Sequence, residues 1–211
     1  MLPISRLPPT VNSPSAPIYF VRHGETDWNR QGLIQGWIDT SLNDNGHAQA
    51  RAVGQALVAI SHLLEGYRFI VSPLHRARQT MDHIVGALAL APARVSVEPQ
   101  VKELGFGVWE GKPFWELKAS PIYPADRETR YSWRPEGGES YADGHLRLSE
   151  WFKAITGPAV VVAHGAIGRC LIGHLTGLSA AQLVGLRMPQ GCYCRLANGQ
   201  ADWFDANGDA A

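Results

Sequence analysis

Three short apolar runs in this chain end in residues able to do polar chemistry. The first ends in Arg22-His23-Gly24, the second in Ser72-Pro73-Leu74-His75-Arg76 and the third in His164-Gly165. An imidazole is partly unprotonated near neutral pH and can attack an electrophile. A guanidinium can clamp an oxyanion through two parallel N–H donors. Two arginines and two histidines around one point suit a dianionic phosphoryl group. The arginines supply paired donors, and the histidines supply attack or a charged hydrogen bond. Taken singly, each motif also fits a blander role: a strand end with a solvated arginine, or a hydrogen-bonded core histidine. Their repetition favours a shared site.

For these side chains to meet, the runs that carry them must lie side by side. The runs Ile18-Tyr19-Phe20-Val21, Phe69-Ile70-Val71 and Ala159-Val160-Val161-Val162-Ala163 read as buried strands, the last as a central parallel one. Open α/β sheets bind ligands beyond the carboxyl ends of their strands. Gly24, with no Cβ, permits a sharp turn and close approach of a substrate. The opening turn of the helix after Pro73 can aim Arg76 at the same edge, where helix amides also favour an anion.

Between the strands, Asn43 or Asn45 is placed to cap a helix whose buried face is Ala50, Val53, Leu57 and Ile60. A second helix is predicted over residues 75–90, a strand over 94–97, and helices over 140–155 and 167–175. A two-strand finish over 191–204 turns at Asn198-Gly199. This alternation predicts an α/β fold: a three-layer sandwich with a mostly parallel central sheet flanked by helices. Residues 1–17, with five prolines, read as an arm outside a single domain over 18–211. Residues 98–139 lose periodicity and read as an irregular lid insert.

The 211 residues are 45% hydrophobic, with 19 Lys plus Arg against 19 Asp plus Glu. Zero net charge does not point to a nucleic-acid or anionic-membrane partner. No apolar run approaches the roughly 20 residues that span a bilayer, and the N-terminus does not read as a signal peptide. A cytoplasmic location is therefore expected, with Cys170, Cys192 and Cys194 as reduced thiols. A homodimer is left open.

The segments 21–29, Gln35-Gly36, 72–80, 103–111, 137–140 and 162–165 occur in the order found in the histidine phosphatase superfamily, also called the phosphoglycerate mutase-like family. From residue 18 to the C-terminus the chain resembles its phosphatase branch. The resemblance implies that His23 is a nucleophile that becomes phosphohistidine, and that Arg22, Arg76 and His164 hold the transferring group. It implies that Glu103 is the general acid, protonated for the leaving oxygen and then ionised to activate water. Asn29, Gln35, Gly36 and Thr26 are implied as substrate contacts. No metal and no cofactor is implied, and the substrate would be a small phosphorylated metabolite.

Glu110 competes as the acid, although the motif favours Glu103. Related mutases carry Arg-His-Tyr-Gly after the acid and a paired arginine in a longer insert. Here Glu103 is followed by Leu-Gly-Phe-Gly, and Arg127, Arg130 and Arg134 are scattered. This favours a phosphatase over a cofactor-dependent phosphoglycerate mutase. A metal hydrolase using His23 and His164 lacks the usual ligand spacing. A non-catalytic phospho-ligand binding module would have no need of Glu103.

Overall fold

The computed structural model describes residues 17–155 and 157–210. All but the last residue of the proline-rich arm lies outside them. Strand β1 (Ile18–Arg22) leads through short α1 (Asp27–Gln31) to α2 (Asp44–Ala59). Strand β2 (Arg68–Val71), helix α3 (His75–Ala87) and strand β3 (Val95–Val97) follow. After α4 (Phe114–Ala119) and α5 (Arg127–Ser132) come α6 (Tyr141–Ala154), β4 (Ala159–Ala163) and α7 (Gly165–Thr176). Helix α8 (Ala180–Gly185) precedes the hairpin of β5 (Tyr193–Ala197) and β6 (Gln200–Phe204).

The strands form one six-stranded sheet in the order β3-β2-β4-β1-β5-β6. The four strands from β3 to β1 pair in parallel, and β5 and β6 are antiparallel. Alternate residues of each strand face opposite sides. Ile18 and Phe20 of β1 join Val161, Leu148, Ile167 and Leu171 in one core, against α6 and α7. Tyr19 and Val21 join Val162, Val53, Leu57 and Ile84 in another, against α2 and α3. The predicted mixed α/β sandwich is thus observed. β4 is buried along its whole length, as a central strand between two helical layers must be.

Three boundaries depart from expectation for identifiable reasons. Helix α3 stops at Ala87 because Ala89 turns left-handed (φ 52°) and the Leu90 amide returns to Val85 O at 2.9 Å. Helix α8 was not anticipated, although Ser179 and Gln182 form a capping box at its start. The insert at 98–139 is not wholly irregular: it holds α4 and α5, the latter capped by Asp126. Among the described residues no helix is long and apolar enough to cross a membrane.

The α6–α7 seam holds a histidine pair, His145 buried and His174 half-buried. His145 Nε2 lies 3.2 Å from His174 Nδ1, and the Phe152 ring stacks on His174. Burial, then the neighbouring His145, pushes His174 from 6.5 down to about 4. The fold therefore favours the neutral ring, while the unfolded chain protonates near 6.5. Stability from this group is complete above about pH 6.5 and is lost as pH falls toward 4. Denaturant midpoints at about pH 7 and 4.5 should fall less in His174→Gln than in the wild-type protein; equal falls would rule out this contribution.

Candidate active site

β1 and β4 run in parallel with Arg22 opposite Ala163, and the His23 amide donates to Ala163 O at 2.9 Å. This register sets His23 and His164 side by side just past the strand ends, with ring centroids 5.1 Å apart. Both are essentially buried. His23 Nδ1 lies 2.7 Å from Gly24 O. A carbonyl oxygen only accepts, so Nδ1 carries the proton and Nε2 keeps its lone pair. Burial first, then Arg76 and Arg22, hold His23 well below the usual imidazole range. It is therefore an uncharged imidazole whose free lone pair is on Nε2.

Gly24 does not have a positive φ, as the expected sharp turn would suggest. It is glycine because a Cβ there would lie within 2.4 Å of Gly46 O at the start of α2. The Gly24 amide is fixed by Thr80 Oγ1 at 3.1 Å. Packing of α2 and α3 against this turn thus holds the backbone beside His23.

The two arginines are anchored before any ligand arrives. Arg22 donates through Nη1 to Met188 O at 2.6 Å. Arg76 donates to Ile38 O at 2.8 Å and Gly36 O at 2.9 Å. The Nη groups are thus partly engaged by carbonyls rather than wholly reserved for an anion. The Nε atoms of both arginines and Nδ1 of His164 are buried with no hydrogen-bond partner. Buried polar atoms left unpaired cost free energy, so three on residues at these neighbouring strand ends mark a place suited to a polar ligand. Burial pushes Arg22 down to about 10, opposed by the attraction of Glu103. Arg76 shifts in the same direction for the same leading reason.

Glu103 lies at the N-terminus of α7. His164 is the N-cap of that helix but gives it no side-chain cap. The Glu103 carboxylate does so, accepting from Ala166 N at 3.1 Å and Ile167 N at 2.9 Å. It also takes its own neighbour, Leu104 N, at 3.0 Å. This carboxylate thus occupies the opening amides of α7, and at α3, where helix amides were expected to favour an anion, Asp39 occupies the first of them. Glu110 has a different task. Its Oε1 accepts from Trp37 N at 2.9 Å and Phe106 N at 3.0 Å, stapling the insert to the loop after α1.

Arg22, His23, Arg76 and Glu103 floor one cavity of about 280 Å³, with Asn29, Gln35 and Gly36 on its wall. Gly36 is left-handed (φ 52°), and a Cβ there would meet the Glu110 carboxylate. Thr26, expected as a substrate contact, does not line the cavity. It is the N-cap of α1, in a capping box with Asn29. His164 is also behind the cavity surface, in contact with His23.

Several wall residues were not found in the sequence. Phe114, Tyr123 and Trp133 come from the insert, beside Arg130, one of the scattered arginines already noted, and Arg169 comes from α7. Arg130 is fixed by Pro124 O and Ala125 O and lies 4.8 Å above the Tyr123 ring. Arg169 follows Gly165 by four residues, so helical spacing alone places the two on one face. Gln190 was also missed; its Nε2 donates to His23 O at 3.0 Å and to Asn29 Oδ1 at 3.1 Å. Among the described residues no group of three or more His, Cys, Asp or Glu is arranged to hold a metal ion.

Residues 18–204 match the family model described as the histidine phosphatase superfamily, branch 1. A 2,3-bisphosphoglycerate-dependent phosphoglycerate mutase of Mesorhizobium japonicum is 30% identical over 193 residues, 84% of this chain and 89% of that protein. A mutase of the same name from Brucella anthropi is 31% identical over 186 residues, 81% of this chain and 86% of that protein. Among solved structures, a mycobacterial glucosyl-3-phosphoglycerate phosphatase superposes with a TM-score of 0.72 at 26% identity, covering 90% of this chain and 96% of that one.

Proposed function

This chain belongs to the histidine phosphatase superfamily, branch 1, and on that footing we propose that it is a phosphomonoester hydrolase acting on a small phosphorylated metabolite. His23 Nε2 attacks phosphorus in line with the ester oxygen. Arg22 and Arg76 offset the charge on the non-bridging oxygens, the main lever in phosphoryl transfer, and His164 donates a hydrogen bond to one of them. Glu103 protonates the departing alkoxide. It then takes a proton from the water that opens the phosphohistidine. The reaction needs no metal and no cofactor.

The observation that carries hydrolysis over mutation is the fate of the insert arginines. Turning a bisphosphate over within the site requires fixed cations above it. Of the three insert arginines only Arg130 lines the cavity. Arg127 packs against Gly185 of α8, and Arg134 pairs with Asp143 at the surface. Aromatic rings take up much of the remaining wall. Arg130 and Arg169 are placed to read a second polar or anionic group, which keeps phosphorylated sugars and phosphoglycerate esters in range. The mutase reading has one specific observation in its favour, the names of the curated relatives.

Phosphate release from a panel that includes glucosyl-3-phosphoglycerate, with and without EDTA, should show metal-independent turnover. Isomerisation of 3-phosphoglycerate with 2,3-bisphosphoglycerate should be slower than that release. Faster isomerisation would overturn the hydrolase assignment. Phosphate binding without turnover would reduce the protein to a binding module.

A further inference from the structure

Ser72 follows the last residue of β2 and precedes Pro73. Its side chain is fully buried and lies 2.6 Å from Nε2 of His164. The Leu74 amide donates to the same oxygen at 3.3 Å, a local turn in which the hydroxyl caps the backbone two residues on. An amide nitrogen can only donate, so it consumes a lone pair of Ser72 Oγ and leaves the hydroxyl hydrogen unused. Among the hydrogen bonds of the described residues, His164 Nε2 is the acceptor that hydrogen has. Pairing that hydrogen makes Nε2 the bare nitrogen of the neutral ring and puts the proton on Nδ1. Nδ1 is also the His164 atom that is buried without a partner.

We propose that Ser72 is a positioning residue: by donating to Nε2 it fixes His164 as the Nδ1–H tautomer, so that His164 offers the transferring phosphoryl group a hydrogen-bond donor. The opposite tautomer would point a lone pair at a phosphoryl oxygen. The two histidines of the site thus share one tautomer and use it for opposite ends. His23 turns its bare Nε2 to phosphorus, and His164 turns its protonated Nδ1 to oxygen. Burial, with Arg76, His23 and Arg22 nearby, holds His164 well below the usual imidazole range. A ring that stays neutral has one proton to place, which is why its placement matters. This role rests on the phosphoryl-transfer reading above, but the tautomer itself does not.

Ring-nitrogen chemical shifts of ¹⁵N-histidine-labelled protein read the tautomer without any turnover. Wild-type protein should show His164 with a protonated Nδ1 and an unprotonated Nε2. A His164 protonated at Nε2 would overturn the proposal, whatever the enzyme's activity. With p-nitrophenyl phosphate, Ser72→Ala should lower kcat by about 10- to 100-fold with a smaller change in KM, as expected when one buried hydrogen bond is lost. It should also populate the Nε2–H form. Ser72→Thr, which keeps the hydroxyl, should restore both. A Ser72→Ala protein that keeps the wild-type tautomer and kcat would also overturn it. If that variant does not fold, the wild-type spectrum still decides. An inactive wild-type protein with the expected tautomer would count against the hydrolase reading alone.

Discussion

His23→Ala abolishes turnover, with kcat reduced by about 10⁵-fold or more, the scale seen when the nucleophile of a covalent mechanism is removed. Quenching wild-type protein with detergent at alkaline pH during turnover should trap an acid-labile, base-stable phosphoenzyme, and the variant should trap none. The size of the effect follows from the geometry. Gly24 O fixes the proton on Nδ1 of His23, and Gly24 is itself held by Thr80 and the close approach of Gly46. No other neutral imidazole nitrogen of the cavity wall can take over the attack, because His164 is behind that wall with Nε2 bound to Ser72. Replacing His23 by Ala leaves Arg22, Arg76 and Glu103 in place, so the variant should still bind inorganic phosphate. Turnover within tenfold of wild type would overturn the nucleophile assignment.

Glu103→Gln has the next largest effect, and it depends on the leaving group. With an alkyl phosphate the departing alkoxide needs a proton, and loss of the general acid lowers kcat by about 10²- to 10⁴-fold. With p-nitrophenyl phosphate the leaving group needs little help, so the phosphorylation step should be nearly intact. Hydrolysis of the phosphohistidine still lacks its base. The variant should therefore release one equivalent of nitrophenol in a burst and then stall as phosphoenzyme. An equal loss with both substrates and no burst would remove Glu103 from the acid role. The variant should also be slightly less stable, by about 0.3–1 kcal/mol, because the carboxylate caps α7 and its charge complements the helix N-terminus. Glu103 thus joins two tasks, and the burst separates them.

The parts of the site legible in the sequence are those carried by local pattern. Apolar runs ending in Arg-His-Gly and His-Gly announce strand ends, and the parallel sheet brings both to one edge. What the sequence hides is set by contacts between distant segments. That Glu103 caps a helix beginning at Gly165 cannot be read from the residues around either. The aromatic wall depends on how the insert folds back, stapled through Glu110 and Glu139. Thr26 shows the opposite error. Its spacing to Asn29 is that of a capping box, a local signal that outweighs a hydroxyl's proximity to a motif. Ser72 was read as the residue before a strand-ending proline, and its bond to His164 spans 92 residues.

The pairing of β1 with β4 has a consequence for how the protein acquires its activity. Arg22 and Ala163 sit opposite each other with most of the chain looped between them. Closing such a loop is entropically costly, so this pairing is expected to form after local units such as the α2–α3 pair. A fragment that stops short of β4 holds Arg22, His23, Arg76 and Glu103 but lacks His164 and the α7 amides that hold the Glu103 carboxylate. Regain of turnover after dilution from denaturant therefore reports completion of the whole sheet, and appearance of helical signal does not.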